Sequence, residues 1–283
     1  MAEKEKKDQF IIAYLADTRQ PEAVLSYAIY MSQKLGKGLI LLHICDPKYS
    51  TLTTAEAETR LQELVAQTAA QHSDIHCSYA ALKGKTIDII NALPTLMNAV
   101  LIVAQVDRHA RRRSALHKKS VLKNFAQCRT AYLTVQEPLS AASQMQDVAT
   151  AIDFKKESKD KLIWSSYFPR FCGSTMHILY YDYKDQFLHS KWYANMTQLH
   201  KLYSGLNLTF TPHIIPAKST FLDINALRYA DQSRYGMLIA VTTKEKDGLE
   251  FFIGVQEERT IVNKSHIPIL FLNPREELYV LCD

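Results

Sequence analysis

Short apolar strands alternating with helix-length amphipathic segments, run through twice in 283 residues, predict an α/β protein of two domains, each a five-stranded parallel sheet flanked by helices. Three observations carry that prediction. Residues 38–44 and 101–104 are continuous apolar runs, the pattern of strands buried on both faces. Between such runs, apolar residues recur at helical spacing, as in Val24, Ala28, Met31 and Leu35. Finally, the order of elements repeats at a period of about 135 residues, too long for a solenoid and the mark of duplicated domains.

The first strand spans residues 10–16, aromatic and β-branched, and ends at Asp17-Thr18. Pro21 sits where a first helical turn tolerates it, and Gly36 supplies the stop after about four turns. The strand at 38–44 is followed by Asp46-Pro47, a loop, and Thr53-x-x-Glu56, a capping box that opens a helix with Leu61, Leu64, Val65 and Thr68 on one face. A strand at 75–82 breaks at Gly84. Thr86 starts a helix carrying Ile87, Ile90 and Leu93, which Pro94 is expected to end or kink. A buried strand at 101–104, a long loop, a helix from near Ser120 and a strand at 131–135 complete a β-α-β-α-β-α-β-α-β series, which calls for right-handed crossovers.

Residues 1–138 form the first domain, and the proline- and serine-bearing stretch 139–147 is the linker. Residues 148–283 form a second, more diverged domain. Residues 148–152 followed by Asp153 resemble 10–16 followed by Asp17, and TMHILYYD (175–182) resembles GLILLHICD (38–46), both ending in aspartate. Trp192, Met196, Leu199 and Tyr203 mark a helix, residues 208–215 a strand, 222–230 a helix and 237–241 a strand. A helix at 244–264 and a strand at 267–272 close the series.

Composition excludes several classes. A hydrophobic share of 47% and a charged share of 22% are ordinary for a globular protein. No apolar run approaches the roughly 20 residues that cross a bilayer, so no membrane span is expected. The start, MAEKEKKDQ, lacks the apolar core of a secretory signal, and the chain is expected in the cytoplasm. Five scattered cysteines without a C-x-x-C pair fit reduced thiols. His72, His76 and Cys77 have ligand-like side chains but straddle a helix end and a strand start, so no metal site is expected. His43, in mid-strand, reads as a satisfied core histidine. The sequence holds no G-x-S-x-G elbow, Walker A loop or S-G-G-x-D-S loop, and no catalytic residue is assigned. The aromatic residues of the second half (Trp164, Tyr167, Phe168, Tyr180, Tyr181, Tyr183, Trp192, Tyr193) read as core and interface.

Charge is concentrated in one place. Residues 105–123, QVDRHARRRSALHKKSVLK, hold four arginines, three lysines, one aspartate and no glycine, a net +6 in a chain whose total is +5. The stretch links a buried strand to a helix N-terminus, where α/β proteins bind anions. No aromatic residue lies between Val106 and Leu122 to stack on bases, which counts against nucleic acid as the partner.

FIIAYLADTRQPEAVLSYAIYMSQKLGKGLILLHICDP resembles the opening of a universal stress protein (UspA-like) domain, and LKGKTIDII and AVLIVAQ…SVLKNFAQCRTAYLTV continue the likeness. The resemblance covers nearly all of the first half and, more loosely, the second. It implies a tandem universal stress protein of two flavodoxin-like/Rossmann-like domains, pairing as an internal pseudo-dimer through their final strands. Nucleotide-binding members carry G-x-x-G, nine residues, then G-S/T after the fourth strand, glycines that let backbone approach phosphate. Here those glycines fall on Gln105 and Arg108, and the closing pair on Lys119-Ser120. In the second half they fall on Thr242 and Glu245, with Gly254-Val255 closing. Asp17 corresponds to the family's strand-1 aspartate near adenine and ribose, and Ile44 to its adenine-lining residue. Asp17 equally suits a cap on the following helix.

The implied function is a stress-associated regulatory or protein-interaction module, non-enzymatic, with degenerate nucleotide sites and a protein partner or self-association. The alternative is an ATP/AMP sensor or slow ATP hydrolase in which cations of the first domain's loop take the place of backbone amides as phosphate ligands.

Overall fold

Apolar strand runs can be buried on both faces only if helices cover both sides of a sheet, and each half of the chain achieves this separately. The computed structural model describes residues 8–107, 109–111, 113–140, 145–156, 158–216, 222–242 and 267–273. The chain divides into two units, Met1–Leu139 and Ser140–Asp283.

In the first unit, β1 (Phe10–Tyr14), β2 (Gly38–Cys45), β3 (Cys77–Lys83), β4 (Ala99–Gln105) and β5 (Ala131–Val135) lie parallel in the order β3-β2-β1-β4-β5. The connecting helices are α1 (Glu22–Leu35), α2 (Thr54–Gln71), α3 (Thr86–Leu96) and α4 (Lys118–Phe125). Central β1 and β4 are enclosed, with Ile11, Ile12, Leu101 and Val103 fully buried, whereas edge strand β3 leaves Tyr79 exposed.

Local chemistry sets the helix ends. Gly36 holds a φ of 60° and directs its N–H to Gln33, closing α1 in the left-handed conformation that glycine adopts without strain. The capping box of α2 is reciprocal: the Glu56 N–H donates to Thr53 Oγ1 at 3.3 Å and the Thr53 N–H to Glu56 Oε2 at 2.8 Å. Of the four residues expected to face inward from α2, Leu61 and Thr68 are buried, and Leu64 and Val65 are half-buried. Pro94 does not end α3, which continues to Leu96. The proline leaves the Ile90 carbonyl without its usual helical donor, and the Cys128 thiol reaches that carbonyl at 3.8 Å.

In the second unit, β6 (Asp147–Ala151), β7 (Thr175–Tyr180), β8 (Thr211–Ile214), β9 (Met237–Val241) and β10 (Ile269–Leu272) are parallel in the equivalent order β10-β9-β6-β7-β8. Helices α5 (Ser158–Tyr167), α6 (Gln186–Gly205) and α7 (Leu222–Gln232) connect them, and α5 runs into one π-helical turn at Phe168–Cys172. Helix α5 is absent from the sequence-based reading because its buried face carries Ser158, Asp160, Lys161, Ser165 and Ser166, which leave no apolar period to detect. Strands β1 and β8 are shorter than expected, ending at Tyr14 and starting at Thr211. The helix expected at 244–264, with Glu245 and Gly254-Val255, lies outside the described residues.

Candidate functional site

In an open sheet of order β3-β2-β1-β4-β5 the strand order reverses between β1 and β4, and a ligand crevice forms beyond their carboxyl ends. Loops leaving β1, β2 and β4 define its floor and rim in the first unit.

The turn after β1 is folded around Asp17. Its Oδ1 accepts from the Arg19 N–H at 3.0 Å and from Arg19 Nε at 2.9 Å, and Oδ2 accepts from Nη2 at 2.7 Å. The Arg19 side-chain bonds, outweighing partial burial, hold the Asp17 carboxyl below the usual range. Asp17 therefore closes its own turn; the residue preceding α1 is Pro21. Thr18 accepts from Arg60 of α2 at 3.4 Å, which brings a second guanidinium to the same rim.

Strand β2 contributes Ile44, buried at 2% exposure, and His43, equally buried. His43 Nδ1 lies 2.7 Å from the Leu15 carbonyl and Nε2 lies 2.9 Å from Ser50 Oγ. One tautomer satisfies both, with Nδ1–H donating to Leu15 and Nε2 accepting from the Ser50 hydroxyl. Burial depresses the pKa of this imidazole, partly offset by the Leu15 carbonyl. Three residues beyond His43, Asp46 accepts the Thr86 N–H at 2.8 Å and the Thr86 hydroxyl at 2.9 Å, so a carboxylate from the end of β2 caps α3. The sequence showed Asp46 ending the strand but carried no sign of its partner, 40 positions away.

The loop after β4 is where a phosphate cradle would form, and seven of its described amides bond within the protein. The Val106 N–H donates to the Val135 carbonyl at 2.8 Å, Asp107 to Leu116 at 3.0 Å, Ala110 to Asp107 at 3.4 Å, Ser114 to Arg111 at 2.8 Å and His117 to Ser114 at 3.2 Å. The His109 N–H donates to Asp107 Oδ1 at 2.7 Å and that of Leu116 to Ser114 Oγ at 3.1 Å. At the start of α4 the His117 imidazole takes the place of a ligand: Nδ1 accepts the Lys119 N–H at 3.2 Å. The Ser120 and Val121 amides donate to the His117 carbonyl at 2.7 and 3.1 Å. Gln105 ends β4 half-buried, Ser120 is buried, Lys119 is exposed, and Arg108 lies outside the described residues. The contacts of Asp17 thus run to Arg19, and those of Lys119 and Ser120 to His117.

At the corresponding crevice of the second unit, the Ala151 carbonyl that ends β6 accepts from the Lys161 ammonium at 2.8 Å, which also pairs with Asp223 at 3.0 Å. Lys161 is 4% exposed, an internal cation fastened between β6 and the first turn of α7. Its sequence signal, the second of two lysines in SKDKLIWSSY, is indistinguishable from a solvated one. The Thr242 N–H donates to the Leu272 carbonyl at 2.8 Å, as Val106 does to Val135. Strand register accordingly matches Thr242 with Val106 and Val241 with Gln105, so the sequence placed its leading glycine one position apart in the two halves.

No family model matches the sequence, and no curated protein does. Solved structures do match the fold. A universal stress protein from Archaeoglobus fulgidus DSM 4304 superposes with a TM-score of 0.70 at 14% identity, over 95% of this chain and 97% of its own. A putative universal stress protein from Pseudomonas aeruginosa UCBPP-PA14 gives 0.67 at 13% identity, over 97% and 96% of the two chains. The cytoplasmic domain of a prokaryotic cation chloride cotransporter gives 0.56 at 10% identity, over 93% and 94%. The chain has the fold of the universal stress proteins over nearly its whole length. Among the described residues no helix is long and apolar enough to cross a membrane.

Proposed function

We propose that this chain is a non-enzymatic regulatory or protein-interaction module built on the universal stress protein fold, whose nucleotide sites are degenerate. The observation that carries the reading is the internal bonding of seven amides of the β4–α4 loop, together with the Lys119 N–H held by His117. Backbone amides bind phosphate only when they are free to point at it. The lysine plug of the second unit supports the same reading, with Lys161 tied to the Ala151 carbonyl and Asp223. The same architecture also occurs as the cytoplasmic domain of a cation chloride cotransporter, so it is found joined to other parts of a larger protein.

One feature favours a second reading, an ATP/AMP sensor or slow ATP hydrolase. Lys119 stands exposed in the first turn of α4, at the positive end of its dipole, where a cation is unfavourable unless an anion joins it. Equilibrium dialysis against ATP, ADP and AMP separates the two. The scaffold reading expects no saturable binding up to several millimolar nucleotide. Sub-millimolar binding that disappears in Asp17→Ala and Lys119→Ala overturns it in favour of the sensor. Weak uptake that vanishes at raised salt is screened attraction to exposed arginines and leaves the scaffold reading standing.

A further inference from the structure

The second unit holds a chain of titratable side chains at the amino end of β6, away from the crevice. His177 of β7 lies with Nε2 2.9 Å from Asp147 Oδ1 and Nδ1 3.0 Å from His213 Nε2 on β8. His213 Nδ1 lies 3.3 Å from the Tyr229 hydroxyl of α7. The His177 ring stacks on Tyr235, centroids 4.1 Å apart and planes 14° apart. Of the charged groups of α7, Asp223 is paired with Lys161 and Arg228 reaches Asn225 at 3.4 Å. Asp231 and Arg234 stand at the end of the helix, Arg234 in solvent.

We propose that this Asp147–His177–His213–Tyr229 chain is an acid-sensitive latch that holds edge strand β8 onto the sheet and accepts one proton but not two. With both imidazoles neutral, His177 Nε2–H donates to Asp147, His213 Nε2–H donates to His177 Nδ1, and the Tyr229 hydroxyl donates to His213 Nδ1, so every contact is a hydrogen bond. A first added proton is accommodated on His177, between the Asp147 carboxylate and the face of the Tyr235 ring, provided His213 switches tautomer so that Nε2 accepts. A second proton puts N–H against N–H across 3.0 Å and two positive charges side by side. Burial and the neighbouring His177 both depress the pKa of His213, in keeping with that order of protonation.

The strand that would yield is β8. It has four residues, ends the sheet order of its unit and pairs with β7 alone. Pro212 brings no N–H to either side. Thr211, Pro212 and Ile214 are exposed, so little buried surface opposes release once the His177–His213 contact becomes repulsive.

The test uses the full chain. Imidazole ¹⁵N shifts followed from pH 8 to 4.5 are expected to show two macroscopic steps for His177 and His213, separated by more than one pH unit. Two independent titrations at a common pH near 6.5 overturn the latch. Amide protection across residues 208–215, expressed against the intrinsic exchange rate at each pH, is expected to fall at least tenfold through the second step, and the rest of the sheet is expected to hold. Unchanged protection across that range overturns the proposal. So does a His213→Gln chain that loses protection on acidification as the wild type does. If that variant does not fold, the wild-type shifts and exchange decide alone.

Discussion

Asp46 shows how one carboxylate can tie two elements together. It is 6% exposed and accepts from the Thr86 N–H, the Thr86 hydroxyl and, at 3.0 Å, the Lys48 N–H. Burial raises its pKa, but the bonds from Thr86 and Lys48 outweigh burial and leave it below the ordinary carboxylate value. Asp46→Ala strips the cap from α3 and takes the acceptor from the buried Thr86 hydroxyl, which keeps its bond with Tyr14, and is expected to cost about 2 kcal/mol in urea unfolding at pH 7. Asp46→Asn keeps an acceptor and is expected to cost less. Because the folded pKa is depressed, the contribution of Asp46 is complete above the unfolded value near 4 and is lost as pH falls through the folded value. The gap between wild type and Asp46→Ala should therefore narrow below pH 4. The capping box of Thr53 and Glu56 was readable because its partners are three residues apart, whereas Asp46 and Thr86 meet only through the pairing of β2 and β3.

At the scale of elements, buried polarity explains what the sequence concealed. Helix α1 was legible because Val24, Ala28 and Met31 are both apolar and buried. Helix α5 was not, because it buries serines that bond to nearby groups, Ser165 to the Leu162 carbonyl and Ser166 to that of Ile163, and a lysine whose partner Asp223 lies 62 positions away. The glycine-free loop before α4 was visible as a departure from the phosphate-binding pattern. Its own bonding, and the role of His117 as a cap, were not, since histidine carries no capping signature. The lysine of α5 yields a sharp expectation. Lys161→Met leaves the Asp223 carboxylate and the Ala151 carbonyl without their cation, and is expected to destabilise the second unit by about 3 kcal/mol. Adding Asp223→Leu removes the stranded charge and is expected to recover most of that loss. Both tryptophans, Trp164 and Trp192, belong to this unit, so urea titrations followed by tryptophan fluorescence report on it. A double variant no more stable than the single one would show that packing around Lys161, rather than charge, sets its value.

For the whole molecule, the depressed groups define how stability responds to acid. Asp17, Asp46 and Glu56 have folded pKa values below their unfolded ones, so what they contribute is intact above about pH 4 and fails beneath it. His43 and His213 are also depressed, in both cases chiefly by burial. For a histidine this means that the unfolded chain binds the proton first, so stability is full above the unfolded value near 6.5 and declines as pH falls below it. The expected profile of urea midpoints has a plateau above pH 7, a first decline beginning near 6.5 and a second below 4. Substituting His43 tests the first decline in the first unit. His43→Gln gives up two buried hydrogen bonds, to Leu15 and Ser50, and is expected to cost about 2 kcal/mol at pH 7.5. It also removes a group that must charge in acid, so circular dichroism, which follows both units, should show a shallower fall between pH 6.5 and 5 than in the wild type. A wild-type profile that rises between pH 7 and 5 would mean that the histidines gain more from protonation in the folded state than burial takes away, contrary to their enclosure in the sheet.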